Sequence, residues 1–201
     1  MSNSTKSHAW CFRAWSQAFI ACVLFFGCES HPDPHGVRGV LAFASHALQT
    51  DDPVALFSVI DERARHAIIS IVADRAQSQA LIDADYPQDD QRAAASAWQD
   101  DDLSGPAAFF ARRCDEGCRQ TLGENLGAPT EESEDGPEHV VVTTRGSVRL
   151  YRANPSSWWG IVWRVEVLDQ ERNRASRDLR QIEQNAEVYR RRRQLEGAEN
   201  R

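Results

Sequence analysis

Residues 138–167 read EHVVVTTRGSVRLYRANPSSWWGIVWRVEV, and this stretch decides the fold class. Upstream of it, apolar residues recur every three or four positions; within it they alternate. His139 to Thr144 is rich in valine, Arg145-Gly146 makes a turn, and Ser147 to Arg152 forms a second strand, so the pair is a hairpin. After the Asn154-Pro155-Ser156-Ser157 turn, Trp159, Ile161, Trp163, Val165 and Val167 share one face, with Val162, Arg164 and Glu166 on the other. That pattern predicts a half-buried antiparallel strand.

On the N-terminal side the period is helical. Val37, Val40, Leu41, Ala44 and Leu48 form one face of a helix from about Gly36 to Gln49, with Arg38, Ser45, His46 and Gln49 opposite. Asp51-Asp52-Pro53 supplies an N-cap and a first-turn proline for a short helix carrying Leu56, Phe57 and Ile60. A longer helix is expected from Glu62 to Ala84, with Ala64, Ile68, Ile71, Val72 and Ala76 as its stripe and Tyr86-Pro87 as its stop. Ala94, Ala97 and Trp98 mark a further helical face over 89–99. Ser104-Gly105-Pro106 opens another helix, with Phe109 and Phe110. Residues 119–137 hold Gly123, Gly127, Pro129, Gly136 and Pro137 together with five acids, and are read as an acidic surface loop.

Beyond the strands, a polar helix is expected from Asp169 to about Leu195. Its seam of Ala175, Leu179, Ile182, Ala186 and Tyr189 either packs along the domain or pairs with a partner; packing is preferred. The fold class is therefore α+β: N-terminal helices packed on a small antiparallel β-meander, followed by a long C-terminal helix.

The first 35 residues are of another kind. Lys6 and Arg13 precede an uncharged stretch, Trp15 to Gly27, that is too short to span a bilayer, for which about 20 apolar residues are needed. A positive segment followed by a short apolar one is the pattern of an export signal. The stretch ends at Phe25-Phe26-Gly27-Cys28, which resembles the lipobox of bacterial lipoproteins. The resemblance implies cleavage after residue 27, lipid on Cys28 and an envelope location, the protein being held to a membrane by its anchor. An ordinary signal peptide cut nearby and an uncleaved anchor are the alternatives. Residues 28–35, rich in proline and polar groups, then read as a tether, 36–168 as the domain and 169–201 as its helical extension.

Charge and cysteine count narrow the function classes. The chain of 201 residues carries 23 Lys and Arg against 30 Asp and Glu; loss of Lys6 and Arg13 with the signal leaves 21 against 30, a net charge of −9. Such a balance argues against general nucleic-acid binding, which needs positive charge to displace phosphate counterions. No lysine lies beyond the signal, so a lysine nucleophile is excluded. Of five cysteines only Cys114 and Cys118 fall in the domain. An even pair in an exported chain favours a disulfide, and four residues apart near a helix end the Cα atoms stand about 6 Å apart, within disulfide range. Their three-residue spacing differs from thioredoxin-type redox sites.

The opening helix, the Thr50-Asp51-Asp52-Pro53 break and the tryptophan-bearing strand from Trp158 to Val167 resemble the cone-shaped fold of nuclear transport factor two and ketosteroid isomerase over residues 36–168. That fold has more than the three strands read here and lacks the C-terminal helix. The resemblance implies an apolar cavity between helices and sheet and, with it, an isomerase-like or small-molecule-binding function. Its catalytic acids have no motif match to Asp61, Asp83, Asp85, Tyr86 or His139, so no catalytic role is transferred.

No Gly-x-Ser-x-Gly elbow or phosphate-cradling glycine loop occurs, and no cofactor or metal site is assigned. Asp100-Asp101-Asp102 lacks the spacing of a calcium loop and reads as a solvated turn, as does the Asp83-Ala84-Asp85 helix end. His46 and His66 read as surface or boundary residues. Two features remain for partner contact: Trp158, the member of the Trp158-Trp159 pair that alternation leaves outside, and the run Arg190, Arg191, Arg192, Arg193, which meets anionic lipid or an acidic partner or simply caps a helix dipole. The expectation is a non-enzymatic binding or assembly module on an envelope membrane, contacting an envelope protein through its C-terminal helix.

Overall fold

A computed structural model describes residues 36–135 and 137–199. Cys28 and the 28–35 tether lie outside these residues. The fold is α+β, with a four-stranded antiparallel sheet and a long C-terminal helix.

The N-terminal helices follow their local signals. Helix α1, Gly36–Gln49, buries Val40, Leu41, Ala44 and Ala47. Asp52 caps α2, Pro53–Ser58, by accepting the Ala55 N–H at 2.9 Å. Asp61 caps α3, Glu62–Asp85, by accepting from Arg63 N and Ala64 N. The apolar stripe of α3 holds at Ala64, Ile68, Ile71 and Val72, but Ala76 is exposed and its place is taken by buried Arg75 and Ser78. Helix α4, Gln88–Ala94, ends early, and turns carry the chain on to buried Trp98. In α5, Pro106–Arg113, Phe109 and Phe110 are fully buried.

Of the stretch expected as an acidic surface loop, residues 119–125 and 129–135 form regular structure. They complete α6, Glu116–Asn125, and then form strand β1, Pro129–Asp135. β1 is an outer strand of the order β1-β2-β3-β4, where β2 is Glu138–Thr143, β3 Ser147–Tyr151 and β4 Gly160–Ile161. Acids on an edge strand oppose edge-to-edge pairing with other chains, and they also remove the apolar alternation by which a strand is read.

A second correction concerns the strand expected through Val167. Only Gly160 and Ile161 pair, with Tyr151 and Leu150. Arg164 then adopts φ of 48°, turning the chain, and Val165 opens helix α7, Val165–Glu199. The alternation is still obeyed up to Val165, since Ile161, Trp163 and Val165 are buried while Arg164 is exposed. Extended chain outside a ladder has the same period of two as a strand. Val167 is 50% exposed, and Leu168, at 4%, turns inward in its place.

β4 also meets the α2–α3 junction. Asp61 N donates to Ile161 O at 2.9 Å and Ile161 N donates to Val59 O at 2.8 Å. The approach is so close that a Cβ on Gly160 would lie 2.4 Å from the Asp61 Cα, so only glycine fits.

Phe110, Val141, Leu150, Ile161 and Trp163 are packed in the core shared by helices and sheet. The α7 seam packs against α3: Ala175, Ile182 and Ala186 are buried, Leu179 and Tyr189 half-buried. Two polar clusters tie this helix pair. Near its start, Arg75 pairs with Asp101 and with Glu171, the latter at 2.8 Å, and Arg113 bonds both acids. At its far end the Tyr86 and Tyr189 rings lie 4.9 Å apart, Tyr189 donates to Asp90 at 3.0 Å, and Asp85 receives Arg190 and Arg193.

Candidate functional site

Positions Arg38, Ala42, Ser45 and Gln49 fall on one stripe of α1, at helical spacing, adjoining its buried face. Opposite this stripe runs the connection from α6 to β1, Leu126 to Pro129, and Thr144 and Arg145 of the β2–β3 turn complete the lining. Together they bound a groove of about 360 Å³.

The turn that presents Arg145 is held by its own side chains. The Thr143 hydroxyl donates to Asn125 O at 2.7 Å and accepts the N–H groups of Arg145 and Gly146, each at 3.1 Å. Thr144 N donates to Ala128 O at 2.9 Å, fastening the turn to the opposing connection. Both segments approach closely: a Cβ on Gly127 would meet Thr144 Oγ1 at 2.6 Å, and one on Gly146 would meet Asn125 Oδ1 at 2.2 Å, so a larger residue at either position displaces the Thr144 or Asn125 side chain. A tight turn satisfied by a threonine hydroxyl is a local device of a familiar kind. Here it fixes the backbone beneath a cationic side chain.

The electrostatics of the groove run against those of the chain. No aspartate or glutamate lines it. Arg38 and Arg145 are exposed, and no ion pair joins either to a carboxylate among the described residues. Leu41, Leu126 and Pro129 give it apolar surface, and the Ser45 and Thr144 hydroxyls and the Gln49 amide supply hydrogen-bonding groups. Sequence reasoning placed Arg38, Ser45 and Gln49 on the polar side of α1 and Arg145 in a turn, but their convergence depends on the path of residues 126–129.

The residues singled out in the sequence are dispersed. Cys28 lies outside the described residues. Cys114 and Cys118 form a disulfide, their Cα atoms 5.0 Å apart, linking the end of α5 to the first turn of α6. Cys114 is 1% exposed, within the core. Trp158 is 62% exposed just before β4, and its neighbour Trp159 is half-buried under Arg152 and beside His139. His139 is buried, with Nε2 3.3 Å from Glu132 Oε2 of β1.

The four arginines divide. Arg193 donates to Asp85 O and Oδ1, Arg190 lies 3.1 Å from Asp85 Oδ2, and Arg191 pairs with Glu187 within the helix. Asp85 is consequently 7% exposed, against the solvated helix end expected for it. Asp101 likewise leaves the expected solvated turn to join the Arg75–Glu171 cluster, while Asp102 caps the turn at Ser104, whose hydroxyl and N–H hold its carboxyl below the ordinary range.

Asp61 is fully buried, with Arg63 pairing to it at 3.2 Å and to Glu138 at 3.2 Å. Burial works against the Arg63 charge, but the Asp61 and Glu138 carboxylates outweigh it and raise its pKa above the ordinary value. This is a capping and cross-linking role. Among the described residues no group of three or more His, Cys, Asp or Glu gathers as for a metal, and no helix is long and apolar enough to cross a membrane. Comparison with protein-family models, with curated proteins and with solved structures gave no match, so the reading of function rests on the chain's own residues.

Proposed function

We propose that this chain is a bacterial envelope lipoprotein, lipidated at Cys28, whose α+β domain is a non-enzymatic binding or assembly module on the membrane surface. The observation that carries the binding role is the outer end of α7. Residues 190–199 are exposed throughout, and Val188 and Leu195, seven positions apart on one helix, are 57% and 68% exposed. Val188 and Leu195 share one helix face with Arg191 and Arg192 in the turns between them, and a second helix laid along that face would bury both apolar side chains. The anchor rests on Phe25-Phe26-Gly27-Cys28 and the positive segment before it.

An apolar ligand cavity between helices and sheet, with isomerase-like chemistry, is the competing reading. It is not preferred, because Phe110, Leu150, Ile161 and Trp163 meet in that interior at 0–6% exposure. Exposed Trp158 remains a second contact candidate at the sheet edge.

Metabolic lipid labelling of the wild type and of Cys28→Ala tests the anchor: label lost with the cysteine supports it, and an unlabelled wild type refutes it. Crosslinking in envelope membranes, before and after Val188→Asp with Leu195→Asp, tests the contact. An adduct that disappears in the variant is expected; the same adducts from both proteins refute that contact.

A further inference from the structure

We propose that the groove between α1 and the β2–β3 turn binds a phosphate group, carried by a free phosphate ester or a lipid headgroup, between the guanidinium groups of Arg38 and Arg145. Charge selects the ligand class. The chain has 30 acids, yet none lines this groove, and its two cations have no described carboxylate partner. What sets Arg38 and Arg145 apart is that both line one groove from different elements with no acid between them, whereas Arg63, Arg75, Arg113, Arg119, Arg190 and Arg193 pair with Asp or Glu. An unneutralised pair of guanidinium groups over one groove is complementary to an anion, and planar guanidinium matches phosphate and carboxylate geometry in two-point contacts.

Phosphate is favoured over carboxylate by charge number. A phosphate monoester carries roughly −1.5 to −2 at neutral pH, which balances two arginines, whereas a carboxylate leaves one uncompensated. The Ser45 and Thr144 hydroxyls supply neutral donors beside it, and Leu41, Leu126 and Pro129 give the organic part an apolar wall. A volume of about 360 Å³ admits a small ligand. The turn beneath Arg145 is already fixed by the Thr143 hydrogen bonds and the Gly127 and Gly146 close approaches, so little backbone ordering remains to oppose binding.

The proposal is independent of lipid on Cys28, and its test separates the two. The full chain in nonionic detergent is titrated calorimetrically with inorganic phosphate, butyl phosphate and acetate. Saturable binding of butyl phosphate is expected. Arg38→Gln and Arg145→Gln, both exposed positions whose melting curves report intact folding, should each weaken it at least about tenfold, as should replacing the ester by acetate. Affinity should also fall between pH 7.5 and 5, because the ester loses its second charge near a pKa of about 6 while arginine stays charged.

Detergent micelles doped with phosphatidic acid then compete against butyl phosphate. Displacement assigns the site to a lipid headgroup and absence of displacement to a free ester, and both uphold phosphate binding. No saturable binding of any phosphate up to about 10 mM, or glutamine variants that bind like the wild type, overturns the proposal.

Discussion

Replacing Gly160 by alanine tests how β4 is seated. The added Cβ would lie 2.4 Å from Asp61 Cα, 2.7 Å from Asp61 N and 3.0 Å from Ile60 C, all backbone atoms with no rotamer to yield. Carbon atoms rest at about 3.5–4.0 Å, so the two segments must part by more than about 1 Å. Parting them strains the Asp61 N to Ile161 O bond of 2.9 Å and the Ile161 N to Val59 O bond of 2.8 Å. Two backbone hydrogen bonds at about 1 kcal/mol each, with about 1–3 kcal/mol of overpacking, give an expected loss of about 3–5 kcal/mol.

Equilibrium urea unfolding of the wild type and Gly160→Ala measures that loss, provided the slope with denaturant is unchanged. In a domain of this size the melting point should fall by about 6–20 °C. Gly197→Ala is the control: it sits in α7 with nothing within 4 Å of the added carbon, and alanine there should be neutral or stabilising by up to about 1 kcal/mol. A loss below about 1 kcal/mol for Gly160→Ala would refute the steric argument.

Three further perturbations have expected outcomes. Arg75→Met removes a buried cation and leaves half-buried Asp101 and Glu171 with only half-exposed Arg113, and should cost about 3 kcal/mol in urea unfolding; a loss under about 1 kcal/mol would make the cluster energetically idle. Cys118→Ala opens a five-residue disulfide loop with little core disturbance, and the chain-entropy relation gives about 2 kcal/mol; a protein equally stable with and without reductant contradicts it. The hydrogen bond to Asp90 and the partial burial of the ring raise the Tyr189 pKa above its ordinary value. The linked stabilisation is therefore complete below the ordinary phenol pKa and lost as pH rises through the raised one. Tyr189→Phe should delete a late-titrating component from an ultraviolet titration, and loss of a component that titrates in the ordinary phenol range instead tells against the bond.

Signals complete within a few residues were legible. Asp52 with Pro53, and Asp61, cap the helices that follow them because a cap needs only the N–H groups two or three positions on. The Arg145-Gly146 turn, the paired Phe109 and Phe110, the Cys114–Cys118 spacing and the α7 seam were read from the same short range. The candidate groove was not, although its pieces were: Arg38, Ser45 and Gln49 are a polar helix face until residues 126–129 run alongside them.

The amino-acid sequence by itself determined the helical and extended periods, the caps and the two-stranded hairpin, since each depends on backbone sterics and hydrogen bonds between near neighbours. Only the tertiary structure decided that acidic β1 joins the sheet, that the chain leaves it at Arg164, and that Asp85 is buried beneath Arg193, 108 residues away. The reason is physical. A carboxylate in the sequence is the same group whether solvated or paired, and only the path of the chain brings its partner within reach.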